Sequence, residues 1–465
     1  WGSLNTFVPV TDNIFNGFVR EGFSKNIIFS IISALRFYLP IFFSIIFFSY
    51  LIFIQKVTFK KNSFLLLYLI FFLSQFLGLI IYDFSEFNLE RNFLPLFAIN
   101  VIILLYFANI YLNSEQLRKI FFINISFLII ISLFYLPFIY KDYFTNSQIF
   151  FYNTQTWRLS VLDDPMIRVT GLSRVLAIVF IFFIITFEYS NNYISKFLLI
   201  LLLILVFANI WALQSRGTFL CLGLSLMIYL FLMYYKNFLK NITLCVLIFV
   251  LGIVLFKVIQ TSKEYYVGKN YPKIFKLFSS NITEKDNRII EAFLREDGQN
   301  NQDKISYVTS SRNEIWKKII EKYDYKRIFG YGPQADRYVI LKNEEPTETI
   351  NNKVVKTSGF MTNASSSLFY SFLCGGYFGL ISFCFLNLYI LSLLLKYLKI
   401  RTYFTKNKAY SDSLFLIIIF IGLRSFFENS HAVFSLDFIV FISSCIMLEK
   451  EIKTNENVNQ SSFFN

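Results

Sequence analysis

Apolar runs of about twenty residues recur along this chain, at about 35–55, 63–82, 93–112, 120–140, 172–188, 197–213, 218–235, 241–259, 376–395, 412–427 and 433–448. A helix rises 1.5 Å per residue, so each run can cross a hydrocarbon core of roughly 30 Å. The expected fold is therefore all-α and polytopic, with about eleven transmembrane helices. Composition agrees: 55% of the 465 residues are hydrophobic and 16% charged, and the mean hydropathy of +0.54 excludes a soluble enzyme. One His rules out a His-rich metal centre, and all five Cys fall in or beside apolar runs, so no disulfide framework is expected. No metal or cofactor is implied.

The net charge of +14 would suggest nucleic acid in a soluble protein. Here much of it lies in short loops between spans, at Lys56, Lys60, Lys61, Arg118, Lys119, Lys196, Lys236, Lys240 and the Lys396–Lys408 stretch, with Lys450 and Lys453 in the tail. By the positive-inside rule these loops are cytoplasmic and no nucleic-acid partner is called for. The alternating loops, at 83–91, 141–171, 214–217, 261–362 and 428–431, face outward. Four regions follow: residues 1–260 with helices one to eight, a large outward loop over 261–375, helices nine to eleven over 376–448, and a cytoplasmic tail over 449–465. An odd span count with a cytoplasmic C-terminus places residues 1–30 outside. A further N-terminal span, making twelve, is expected; the alternative is that residues 1–34 are a processed or re-entrant N-terminus.

Within the large loop, Ile315, Trp316, Ile319, Ile320 and Tyr323 recur at helical spacing, predicting an amphipathic helix over Arg312–Ile328 that lies on the outer membrane boundary. Ser366–Leu373, directly before Gly375–Gly376, reads as a half-helix capping the next span.

Charges at the outer ends of spans are informative, because a charge there is costly without a partner, water or an anionic ligand. Arg216 stands in the near linker-free turn Gln214–Gly217, Arg168 and Arg174 flank the start of the 172–188 span, Arg312 opens the amphipathic helix, and Arg424 lies inside the tenth span. A guanidinium presents a planar fork of donors matched to phosphate, and several at one membrane face suit a diphosphate. The plainer readings are neutralisation of Arg424 by Glu428 four residues on and ordinary interfacial snorkelling of Arg168 and Arg174. Gly330 and Gly332, in Ile328–Pro333, either present N–H groups to an anion or form a simple helix-ending turn. His431, in the outward loop Glu428–His431, is a surface imidazole that with Glu428 nearby is a candidate general base.

In order, these pieces resemble the O-antigen ligase and O-antigen polymerase superfamily of bacterial inner membranes. The resemblance runs from Arg168–Leu172 through Ser215–Arg216–Gly217, Ser311–Trp316, Ile328–Pro333, Ser365–Leu368 and Gly376–Leu380 to Leu423–Glu428. It implies a metal-independent glycosyltransferase of the inner membrane, with its active site facing the periplasm and a polyprenyl-diphosphate-linked glycan as donor. A chain-length regulator is a possible partner in such systems. The family's diphosphate-binding arginines carry over onto Arg216 and Arg312, and a late acidic residue onto Glu428. Ligases carry a His-Asn pair about eleven residues before the Gly-x-x-Gly of the ninth span; this chain has Ser365 and Ser366 there. The expectation is therefore a polymerase joining lipid-linked repeat units, with Glu428 as the first candidate for the base and His431 the second. The alternatives are a ligase acting on lipid A–core or another acceptor, and a flippase of lipid-linked sugars.

Overall fold

The computed structural model describes residues 62–84, 89–145, 158–161, 164–270, 312–338, 347–350, 353–356, 364–404 and 407–462, with a few single positions between 42 and 53. The described chain is helical apart from two short hairpins. Its helices are α1 (Ser63–Tyr82), α2 (Leu89–Tyr111), α3 (Ser114–Thr145), α4 (Val169–Tyr189), α5 (Tyr193–Ala212), α6 (Arg216–Met233), α7 (Phe238–Asn270), α8 (Arg312–Lys322), α9 (Ala335–Tyr338), α10 (Ser367–Ile400), α11 (Lys408–Arg424) and α12 (Leu436–Ser462). The hairpins, absent from the all-α expectation, pair β1 (Arg158–Val161) with β2 (Asp164–Arg168), and β3 (Thr347–Ile350) with β4 (Lys353–Lys356).

Among the described helices, eight are long and apolar enough to cross a membrane: α1 to α7 and α10. The count of eleven also includes α11 and α12, which fall short by that measure, and the run 35–55, most of which lies outside the described residues. Large apolar side chains such as Leu73, Ile123, Leu198, Met227, Val254 and Leu388 face outward from the bundle. Water would penalise such a surface and lipid does not. The chain is a multi-pass membrane protein.

At the centre stands α11. Leu414, Phe415, Leu416, Ile417, Ile418, Phe420 and Ile421 are all buried, and a helix apolar on every side belongs inside a bundle. It packs against α4, α6 and α12. Helix ends are set locally. Asn62 and Asn192 cap α1 and α5 through their side-chain oxygens, accepting from Leu65 N–H at 3.1 Å and Ile194 N–H at 2.9 Å. Between α5 and α6 the chain reverses in three residues, with Gln214 at φ +49°.

Two expectations change. The helix over 312–328 stops at Lys322, and its apolar stripe is turned into the protein rather than laid on a membrane surface. Trp316 stacks on Phe369 at 5.1 Å and Tyr323 on Phe372 at 4.2 Å, so α8 lies along the first turns of α10. Second, the half-helix and the ninth span are one assembly. α10 breaks at Gly376 (φ +62°, ψ −153°), and helical chain stands on both sides.

The Gly330–Gly332 turn plugs that break. The N–H groups of Tyr331 and Gly332 donate to the carbonyls of Leu373 and Cys374 at 3.0 and 2.9 Å, and Phe378 N–H points to the Ile328 carbonyl at 3.4 Å. These bonds satisfy carbonyls that the kink removes from the helix ladder. α1 closes the joint from the other side: a Cβ on Gly78 would stand 2.5 Å from the Phe329 carbonyl oxygen.

Candidate active site

The ends of α4, α6, α10, α11 and α12 meet at one end of the bundle and bring together most of the arginines singled out in the sequence. At the centre is Thr218, on the first turn of α6. Its hydroxyl accepts from Arg424 Nη1 at 2.7 Å and lies 3.1 Å from the Ser173 hydroxyl and 3.0 Å from that of Ser215. Arg424 is buried, and its Nε lies 3.6 Å from Asp437 Oδ2. Arg174 Nη1 reaches the same carboxylate oxygen at 3.0 Å. Asp437 therefore holds two guanidinium groups, from α4 and α11, against the first turn of α12. A carboxylate is favoured there by the helix dipole.

Toward the outside, Arg312 Nη2 meets Glu428 Oε1 at 3.1 Å, with the side chains 17% and 27% exposed. Glu428 is fixed through its main chain, its N–H donating to the Arg424 carbonyl at 2.9 Å and its carbonyl accepting from the Ser367 hydroxyl at 3.1 Å. Ser366 N–H donates to Asn429 Oδ1 at 3.0 Å. The segment in which ligases carry a histidine thus lies directly against Glu428.

Several readings from sequence are revised. Arg424 and Glu428 do not neutralise each other; Arg424 turns inward to Asp437 and Thr218, and Glu428 outward to Arg312. Arg174 is no snorkelling residue, because it is buried and ion-paired. Arg216 opens α6, two residues before Thr218, and is partly exposed. Arg168 ends β2 immediately before α4; its side chain lies outside the described residues. The Gly330–Gly332 turn, which the sequence left open between an anion cradle and a simple helix-ending turn, gives the N–H groups of Tyr331 and Gly332 to carbonyls of α10.

His431 is no surface residue. It is fully buried between Phe383 and Phe441, with ring centroids 5.1 and 4.3 Å away, and its Nδ1 lies 3.2 Å from the Tyr68 hydroxyl.

Asp437 was missed in the sequence. Its signal was a lone carboxylate at the head of an apolar run, the costly kind of placement that marks a partner. Thr218 carries no such signal, since only the fold brings Arg424 to it.

Within this cluster Arg174, Arg216, Arg312 and Arg424 stand against Asp437 and Glu428, four positive charges to two negative. The N-termini of α4, α6, α10 and α12 also lie at this end and add positive partial charge. The arrangement suits a multiply charged anion beside a carboxylate.

No curated protein and no solved structure matches this chain. Residues 199–384 match a family model described as O-antigen ligase. That stretch runs from α5 into α10 and takes in Arg216, Arg312 and the turn locked into the Gly376 break. That match, over 186 of the 465 residues, supports the resemblance to the O-antigen ligase and polymerase superfamily.

Proposed function

We propose that the protein is a polymerase that joins polyprenyl-diphosphate-linked oligosaccharide repeat units at the periplasmic face of the bacterial inner membrane. The observation that carries this reading is the Arg312–Glu428 pair at the mouth of the arginine cluster. It sets a grip for a diphosphate leaving group beside a carboxylate able to take a proton.

In the reaction, the acceptor sugar's hydroxyl oxygen attacks the anomeric carbon of the donor. The bond from that carbon to the diphosphate oxygen breaks, and its electron pair leaves with the lipid diphosphate. Arg312 and Arg216 stabilise the charge that develops there. Glu428 accepts the hydroxyl proton. A single displacement of this kind inverts the anomeric centre. His431 is set aside as the base because its ring is enclosed by aromatic side chains.

Orientation follows from charge. The opposite end of the bundle holds the lysine-rich loops, which the positive-inside rule assigns to the cytoplasm, so the arginine cluster faces the periplasm. A flippase would want cationic groups lining a path through the spans, whereas the arginines singled out in the sequence gather at the outer ends, with Arg36, which lies outside the described residues, as the main exception. The ligase reading is favoured by the description of the matched family. Against it stands Ser365 at the position of the ligase histidine, with Glu428 beside that segment.

Gel analysis of surface polysaccharide from a strain deleted for the gene separates the three. One repeat unit attached and no longer chains is expected. Complete loss of attached glycan with lipid-linked polymer accumulating would identify a ligase, and failure of repeat units to reach the outer leaflet a flippase.

A further inference from the structure

Arg312 and Glu428 are paired with each other, yet the proposed reaction needs them apart, one on the leaving group and one on the acceptor. Both main chains are anchored. Glu428 is tied to Arg424 and Ser367, and α8 is pinned to α10 by the Trp316 and Tyr323 stacks and by Trp316 Nε1 donating to the Ala364 carbonyl at 3.0 Å. The two side chains, both partly exposed, can part without moving these anchors. A single carboxylate is a weaker partner for a guanidinium than a diphosphate, which has more charge and two phosphate groups to engage the fork.

We infer that this ion pair is a latch opened by the donor's diphosphate. Phosphate oxygens take Arg312 from Glu428, and the released carboxylate becomes the base for the acceptor hydroxyl. This rests on the diphosphate reading above. The donor thereby switches on the base, and an acceptor arriving first meets a carboxylate neutralised by Arg312. Glu428 consequently opposes donor binding even though it serves the chemistry.

The test uses the full-length protein in detergent at low ionic strength, with a short-chain polyprenyl diphosphate and inorganic pyrophosphate as probes. Glu428→Gln and Glu428→Ala are both expected to bind the probes about two- to fivefold more tightly than the unmodified protein, the scale set by a partly exposed ion pair. Chain extension in cells should fall in the same variants. Arg312→Ala should bind more weakly, and adding Glu428→Gln to it should tighten binding by less than the same change does in the unmodified protein. Equal or weaker binding by the Glu428 variants, with Arg312→Ala still weakened, overturns the latch and leaves the diphosphate reading standing. Unchanged binding by Arg312→Ala overturns both.

Discussion

Arg312→Ala is expected to slow glycan chain extension by about 10²–10³-fold, the usual cost of deleting one donor aimed at charge that develops in a transition state, while the protein stays inserted and folded. The separation of activity from stability follows from where Arg312 sits. Its ion pair with Glu428 is partly exposed, and such pairs contribute only about 0–1 kcal/mol to folding. Arg312→Lys keeps the charge and loses the planar fork, so partial recovery is expected. The measurement is the length distribution of surface polysaccharide in a deletion strain carrying each variant at matched expression, together with Tm in detergent. A wild-type ladder from Arg312→Ala would remove this residue from the chemistry. The same substitution at Arg424 would not be informative about catalysis, because it removes one of the two guanidinium groups that hold buried Asp437 and one partner of the Thr218 hydroxyl, so folding and activity would change together.

That contrast shows what the sequence makes legible here. Spans such as 63–82 and 172–188 stand out because lipid demands unbroken apolar length, a local property. The arginines at span ends stand out because charge is rare there. Their partners do not. Arg424 and Glu428 are four residues apart, the spacing of a helical ion pair, but α11 ends at Arg424 and the chain turns, so the two side chains diverge. Asp437 meets Arg174 across more than 250 residues of chain, and nothing local announces that pairing.

Asp412 shows the same limit at the opposite end of the bundle. Its buried carboxylate accepts from the hydroxyls of Tyr189, Tyr229 and Tyr397 at 2.6, 3.2 and 2.5 Å, and from Arg401 Nη2 at 2.7 Å. The helices tied there, α4, α6, α10 and α11, are ones whose other ends build the arginine cluster. Composition alone reads Asp412 as one more charge at a membrane boundary.

The Gly-rich turn stayed open between two readings for a related reason. G-x-G is used both to cradle anions and to let backbones approach closely, and only the fold says which. At Gly376 the backbone adopts φ +62°, ψ −153°, a region essentially reserved for glycine. A Cβ there would stand 2.1 Å from the Ile328 carbonyl oxygen and 2.4 Å from the Gly330 nitrogen. Those neighbours are backbone and cannot rotate away. Gly376→Ala must therefore expel the 328–332 turn from the break in α10, leaving the Leu373 and Cys374 carbonyls without their donors. Backbone strain costs about 1–3 kcal/mol, and each buried unsatisfied group about 1–3 kcal/mol more. A loss of roughly 4 kcal/mol or greater is expected.

Activity should fall with stability in this variant, because the turn follows α8 and α8 carries Arg312. Gly223→Ala on α6 is the matched control: a Cβ there meets nothing within 4 Å, and Ala in a helix interior is favoured over Gly by about 0.5–1 kcal/mol. Thermal melts in detergent and the polysaccharide ladder would be read on both variants. If Gly376→Ala melted with the unmodified protein and still extended chains, the turn could not be what holds α8, and the placement of Arg312 beside Glu428 would have to come from the Trp316 and Tyr323 stacks and the Trp316 hydrogen bond to Ala364. If it lost chain extension while Gly223→Ala kept it, the joint at Gly376 would be part of what aims the guanidinium, at a distance from any substrate.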